Sequence, residues 1–337
     1  MSGPGWVALE EHLAARLPGR QPVHFDAAVP MHLGGPRPLD RVSAYALDDP
    51  PHWLYVTYGL SELHQKKSRR ADRSGWGFEL AFRLARTELA PPRWPLDLLQ
   101  GLASYVYASR NPFAPGAQMD LNGPIQAGTG TRLTAALFDA DPQLGELDTP
   151  HGHLRFLELV PVHAGELEAC AAWSAHGLLG LLPAPRVTDL ARASLLEDPA
   201  AAARIAEATA REGSAMGTQS LDTLAWRKDG QGVRLSLGAY AIESVRGMLT
   251  GRTLHGRRFV LEGPAGLAVF DPADANGWRT EDRTLIVTLT PLLARAMHDS
   301  LSPKRGKHRW PELKGFTLEI EPTEIRDPEG KVLRTIG

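Results

Sequence analysis

Across residues 77–84 apolar and polar positions alternate. Phe78, Leu80, Phe82 and Leu84 fall on one face, and Glu79, Ala81 and Arg83 on the other. That is the period of a half-buried antiparallel strand. Pro91-Pro92 stops the strand. Trp94-Pro95 then opens a helix, with proline at a first-turn position where its missing N–H costs nothing. Leu96, Leu98, Leu99, Leu102, Ala103 and Val106 follow at helical spacings and make one broad apolar face. The pattern predicts a strand, a tight link and a helix able to cover it, the seed of an α+β layer.

Other stretches read by the same periods. Trp6, Leu9, Leu13 and Leu17 recur at helical intervals until Pro18-Gly19 ends the helix. Two glycines and two prolines between Gly34 and Pro38 predict irregular backbone over residues 33–45. Residues 53–58, 134–138 and 154–160 read as strands, 165–182 as helical, and 199–211 as an alanine-rich helix at the rear of the first domain. Beyond Phe113 the chain is rich in Gly, Pro and Asn as far as Gly130, which predicts an exposed loop. Three more strands are predicted at 233–237, 258–262 and 284–290, a helix at 291–301 and a final strand at 316–320. Ahead of these, residues 221–232 carry a polar, glycine-broken step. We therefore expect two domains, 1–221 and 222–337.

Length agrees, since 337 residues exceed a comfortable single core. A hydrophobic fraction of 43% and a charged fraction of 23% are those of an ordinary globular chain. With 37 basic and 39 acidic residues the net charge is −2, which argues against a nucleic-acid partner. The single cysteine, Cys170, excludes an intramolecular disulfide and a four-thiolate zinc site. No apolar run reaches the roughly 18 residues of a membrane span. The N-terminal stretch lacks the basic and apolar regions of a secretory signal. No membrane partner and a cytoplasmic location are expected.

Recognisable catalytic motifs are missing. There is no Gly-x-Ser-x-Gly elbow, and Gly128-Thr-Gly130 lacks the Lys-Ser/Thr of a phosphate loop. Gly75-x-Gly77 runs into a strand, so it is no dinucleotide fingerprint. Cys170 reads as a small buried hydrophobe. Residues 66–73 hold five basic side chains around one Asp, read as a solvated hairpin tip or as a contact for an acidic partner. The one candidate metal pair is His151-Gly-His153, which leaves a metal-dependent hydrolase as the remote alternative. No cofactor is predicted.

The order of landmarks resembles the suppressor of fused family. Leu33-Gly-Gly-Pro36, Pro38-Leu-Asp40, His52-Trp53, Gly59-Leu-Ser61, the run from Ser74 to Leu84, Trp94-Pro95, Leu99-Gln-Gly-Leu-Ala103 and Asp141-Pro142-Gln143 match its N-terminal domain. Gly217-Thr-Gln219 fits the end of that domain. Arg252-x-Leu254-His-Gly-Arg257 and Trp310-Pro311-Glu312 match its C-terminal domain.

That resemblance implies two mixed α/β domains with a cleft between them. It also implies a non-enzymatic inhibitor holding an extended segment of a partner protein there. Animal members act this way on a zinc-finger transcription factor in Hedgehog signalling. Bacterial members are considered immunity proteins that neutralise a toxin, the reading ranked first; a peptide-binding adaptor is the alternative. Tyr105, Arg252 and His255 match cleft-lining positions of the family, and Ala117 stands where animal members place a partner-contacting Asp. The animal members' acidic insertion is not visible, and residues 240–249 match poorly.

Overall fold

Residues 77–84 lie in a strand buried on both faces in the computed structural model, which describes residues 3–326 and 332–337. Contacts divide the chain into two compact units. The first runs to Leu167 and takes in Leu179–Ser194; the second holds Glu168–Leu178 and everything from Leu195 on.

The first unit contains α1 (Pro4–Arg16), β1 (Val23–Asp26), β2 (Arg41–Asp48), β3 (Pro51–Tyr58), β4 (Arg73–Ala85), α2 (Trp94–Ser109), β5 (Gln118–Asp120), β6 (Leu133–Ala140), β7 (Glu146–Thr149) and β8 (Gly152–His163). Its sheet runs β1-β2-β3-β4-β8-β6-β5, with β7 paired to β8. The strand β4 is antiparallel to β3 and parallel to β8, with Leu80 opposite Leu157 and Phe82 opposite Leu159. On one face Phe78, Leu80, Phe82 and Leu84 pack with Leu99, Leu102, Ala103 and Val106 of α2. On the other, Ala81, Leu54, Val56 and Phe156 pack with Leu9, Leu13 and Leu17 of the N-terminal stretch.

The expectation of a half-exposed strand is therefore corrected: Glu79 and Arg83 are buried too. Alternation does not distinguish a wet face from one lined with partnered polar groups. Glu79 accepts from the Thr57 and Ser61 hydroxyls and from the N–H groups of Gly59 and Ser61. Burial pushes its carboxyl up, against the pull of those donors. The strand β2 also begins within the stretch expected to be irregular.

The chain passes through α3 (Ala164–Ala172) and α4 (Ala175–Leu179), where one continuous helical stretch is expected. Ser174 makes the break, its hydroxyl accepting the Gly177 N–H at 3.1 Å as a helix start does. The second unit continues with α5 (Pro199–Glu212), β9 (Thr218–Ser220), β10 (Ala225–Asp229), β11 (Gly232–Gly238), α6 (Ile242–Gly251), β12 (Phe259–Gly263), β13 (Gly266–Pro272), β14 (Gly277–Glu281) and β15 (Thr284–Leu289). Then come α7 (Pro291–Ser300), β16 (Gly306–His308), β17 (Phe316–Glu321), β18 (Thr323–Arg326) and β19 (Val332–Ile336). Two sheets form, β10-β11-β17-β16 and β14-β15-β13-β12-β9, beside a β18–β19 hairpin. Their shared core includes Leu235, Met248, Phe259, Phe270, Val287 and Phe316.

The step at 221–232 lies inside this second unit. Gly230, with φ +60°, turns β10 directly into β11, with Asp229 opposite Gly232. A Gly-rich polar break serves a tight hairpin as well as a linker. The helix α5 also counts with the second unit. No helix among the described residues is long and apolar enough to cross a membrane.

Candidate protein-binding edges

The helix α2 turns its apolar stripe to the sheet and leaves Tyr105 37% exposed. The Tyr105 ring stacks on Phe113 at 5.8 Å, and Phe113 stacks on the fully buried Phe138 of β6 at 3.9 Å. Three rings thus run from the core to the surface. Ala117 joins the same group, since its carbonyl accepts the Phe138 N–H at 2.9 Å. The next residue opens β5, the outer strand of its sheet, whose sheet partner among the described residues is β6. An outer strand leaves main-chain donors and acceptors without sheet partners on its far side. Beside Phe113 a cavity of about 250 Å³ is lined by Arg73, Trp76, Phe78 and Arg155. Asp72 and His153 line it too, and Arg73 Nε is buried there without a hydrogen-bond partner among the described residues.

Arg252 and His255 are brought together in the second unit, at the end of α6. The Arg252 guanidinium donates to the backbone carbonyls of Arg258 at 3.0 Å, Ser214 at 3.0 Å and Ala215 at 3.4 Å. Burial lowers its pKa, and neighbouring Arg257 adds to this. The His255 N–H donates to the Arg252 carbonyl at 3.0 Å. Its ring packs over Gly213, which has φ +62°, so closely that a Cβ there would fall 2.3 Å from it. Both side chains brace residues 213–217, the run into β9. That strand is also an outer one, paired among the described residues with β12 alone. Arg252, which the family resemblance places at a cleft-lining position, donates to carbonyls of its own unit. Gln219 of β9 buries its Oε1 without a hydrogen-bond partner among the described residues. Sequence reasoning singled out none of Phe113, Phe138 and Gln219 as candidates, although Gln219 stood in a family landmark.

The two candidate metal ligands part company. His151 is buried, its Nδ1 2.7 Å from the Glu62 carbonyl oxygen. His153 stands exposed between Asp148 at 2.9 Å and Glu146 at 3.4 Å. Neither belongs to a group of three metal-capable side chains among the described residues. In the basic stretch 66–73, Lys66 is consumed internally, bonded to Glu62 and to the carbonyls of Arg73 and His151.

A family profile for suppressor of fused protein matches residues 35–193, ending at the border of the first unit. A chain of the Sufu-Fu complex crystal structure is 32% identical, with a TM-score of 0.57, and the match covers 61% of this chain and 98% of that one. The chain belongs to the suppressor of fused family. The human suppressor of fused homolog is 39% identical over 174 residues, 48% of this chain and 36% of the human protein. The chain thus matches about a third of that relative's length. The crystal structure of Drosophila suppressor of fused matches with a TM-score of 0.77 at 22% identity, covering 95% of this chain and 97% of that one. The suppressor of fused fold, α+β in two domains, therefore extends beyond the profile into the second unit.

Proposed function

We propose that this protein is a non-enzymatic inhibitor that binds an extended segment of a partner protein by strand addition. The observation that carries this reading is the short outer strand β5 beside an aromatic stack ending in exposed Tyr105. In that mode main-chain hydrogen bonds supply affinity and side-chain pockets supply selection. The strand β9, braced by Arg252 and His255, is the second edge we assign to the partner. A family member solved in complex with Fu supports a protein ligand. Ala117 has no carboxylate, so the guest needs no basic group facing that position, and its sequence preference differs from that of the animal partner.

The partner we assign is a toxin, with this chain as its immunity protein, the role implied by resemblance to bacterial members. The test is to identify the protein that this chain captures from its native host and to co-express the two. Rescued growth, together with a purified complex that protects β5 or β9 from hydrogen exchange, supports the reading. A complex that leaves both edges unprotected refutes strand addition. Growth arrest unrelieved by the chain refutes immunity.

A further inference from the structure

The first unit holds a cluster for which partner binding has no use. Asp40 immediately precedes β2, and its main chain is fixed on both sides. Its N–H donates to the Tyr58 carbonyl at 2.8 Å, and its own carbonyl accepts the Ala27 N–H at 2.8 Å. The side chain is 8% exposed. Its Oδ1 accepts the Met31 N–H at 3.0 Å. Its Oδ2 faces two imidazoles, His64 Nε2 at 3.0 Å and His32 Nδ1 at 3.5 Å. The two rings lie 3.8 Å apart, and the three ligand atoms are all within 4.8 Å of one another.

We propose that His32, Asp40 and His64 bind a divalent transition metal ion, with Zn²⁺ the natural occupant. Zinc takes imidazole nitrogen and carboxylate oxygen at about 2.0–2.2 Å, which sets tetrahedral ligand–ligand edges of roughly 3.3–3.5 Å. The two edges at Asp40 already lie near that length. The third closes by a small rotation of the His32 ring, whose side chain is 30% exposed. One carboxylate oxygen held by a backbone N–H, with the other presented to the ion, is how outer contacts orient a ligating carboxylate. Without a cation, two packed imidazoles compete for one carboxylate oxygen; a dication takes a lone pair from each of the three groups.

The scaffold is set for this. Gly34, with φ +92°, closes the 3₁₀ turn that presents His32. The Trp6 ring of α1 lies 5.8 Å from the His64 ring, and the Trp6 backbone N–H donates to the Leu63 carbonyl at 3.0 Å. The bound ion would clasp the loop before β2 to the connection after β3. It would also keep an open position for water or a donor group.

The full chain, stripped with EDTA, is titrated with Zn²⁺ by calorimetry and with Co²⁺ by visible absorption. One Zn²⁺ per chain, tetrahedral Co²⁺ bands and a Zn²⁺-dependent rise in Tm are expected. His32→Gln and His64→Gln, each checked by circular dichroism, should weaken binding by about tenfold or more. His153→Gln should bind like the parent. These side-chain variants avoid disturbing buried Asp40. Absence of saturable binding in the parent overturns the site, as does parental affinity in either the His32 or the His64 variant.

Discussion

The Arg83 guanidinium grips the Asp141 carboxylate through two hydrogen bonds, Nη1 to Oδ2 at 2.5 Å and Nη2 to Oδ1 at 3.1 Å. Both side chains are almost wholly buried. Asp141 also accepts the N–H groups of Gln143 and Leu144. On the other side Arg83 reaches Glu158 at 3.3 Å, which is itself paired with Arg186 at 2.7 Å. Two cations and two carboxylates thus fasten β4 to β8 and to the turn after β6. Arg83→Ala strands Asp141 in a water-poor site and should cost about 3–5 kcal/mol, the usual loss on breaking a buried pair. Urea denaturation reads this directly. A loss under about 1 kcal/mol would show that the Gln143 and Leu144 N–H groups suffice to hold Asp141 without the guanidinium.

Glu62 supplies a pH-dependent contribution. Burial alone would raise its carboxyl pKa. The N–H groups of Ser68, Lys67 and Gly75 and the Lys66 ammonium outweigh burial and hold it at about 2. Since the folded value lies below the ordinary 4.5, ionised Glu62 favours the fold. Its contribution is complete above the unfolded value and is lost as pH falls through the folded one. Glu62→Gln should therefore lower Tm at neutral pH, with the gap to the parent narrowing as pH drops from about 4.5 toward 2. A Tm gap that does not change with pH would contradict this.

These two networks mark where sequence reading stops. The β4 period and the 3.6 period of α1, α2 and α7 are legible because each is a local repeat of apolar residues. The burial of Arg83 is not, because its partner lies 58 positions away. The outer strands β5, β9 and β16, written Gln-Met-Asp, Thr-Gln-Ser and Gly-Lys-His, are too short to show a period and low in β-branched residues. Tyr105 was legible only through resemblance, since Phe113 and Phe138 join it from a loop and a distant strand. The hairpin at Gly230 passed for a linker because glycine and charge mark both.

Trp310 and Trp94, both followed by proline, suit structural roles of different weight. Trp310 is 8% exposed and donates from Nε1 to the Ser300 hydroxyl at 3.1 Å. It also lines a cavity of about 650 Å³ with Gly232 and Phe316. Trp94 is half-buried, its ring edge-on to Phe82 at 5.8 Å. Trp310→Ala should cost about 3–5 kcal/mol, and Trp94→Ala less, because part of that ring is already wet. Equal losses in denaturant titrations would show that exposure does not set the difference.

Tyr105 separates binding from stability. Its ring is the outermost of the three-ring stack, so truncation removes little buried area from the core. Tyr105→Ala should leave Tm within a few degrees of the parent, as surface changes within about 0.5 kcal/mol do. For a partner segment lying along β5 the same ring is a rigid aromatic anchor that is cheap to order. Its loss should then weaken affinity by about 2 kcal/mol, roughly thirtyfold. Tyr105→Phe keeps the stack and removes only the hydroxyl, so near-parental affinity would assign the effect to the ring. A loss as large as that of Tyr105→Ala would assign it to a hydrogen bond with the guest. Arg252→Ala provides the contrast in the second unit, where three backbone carbonyls lose their donor; it should lower Tm as well as affinity. Calorimetry with the purified partner and each variant, beside thermal melts, reads both quantities. Parental affinity in Tyr105→Ala would remove β5 from the binding surface.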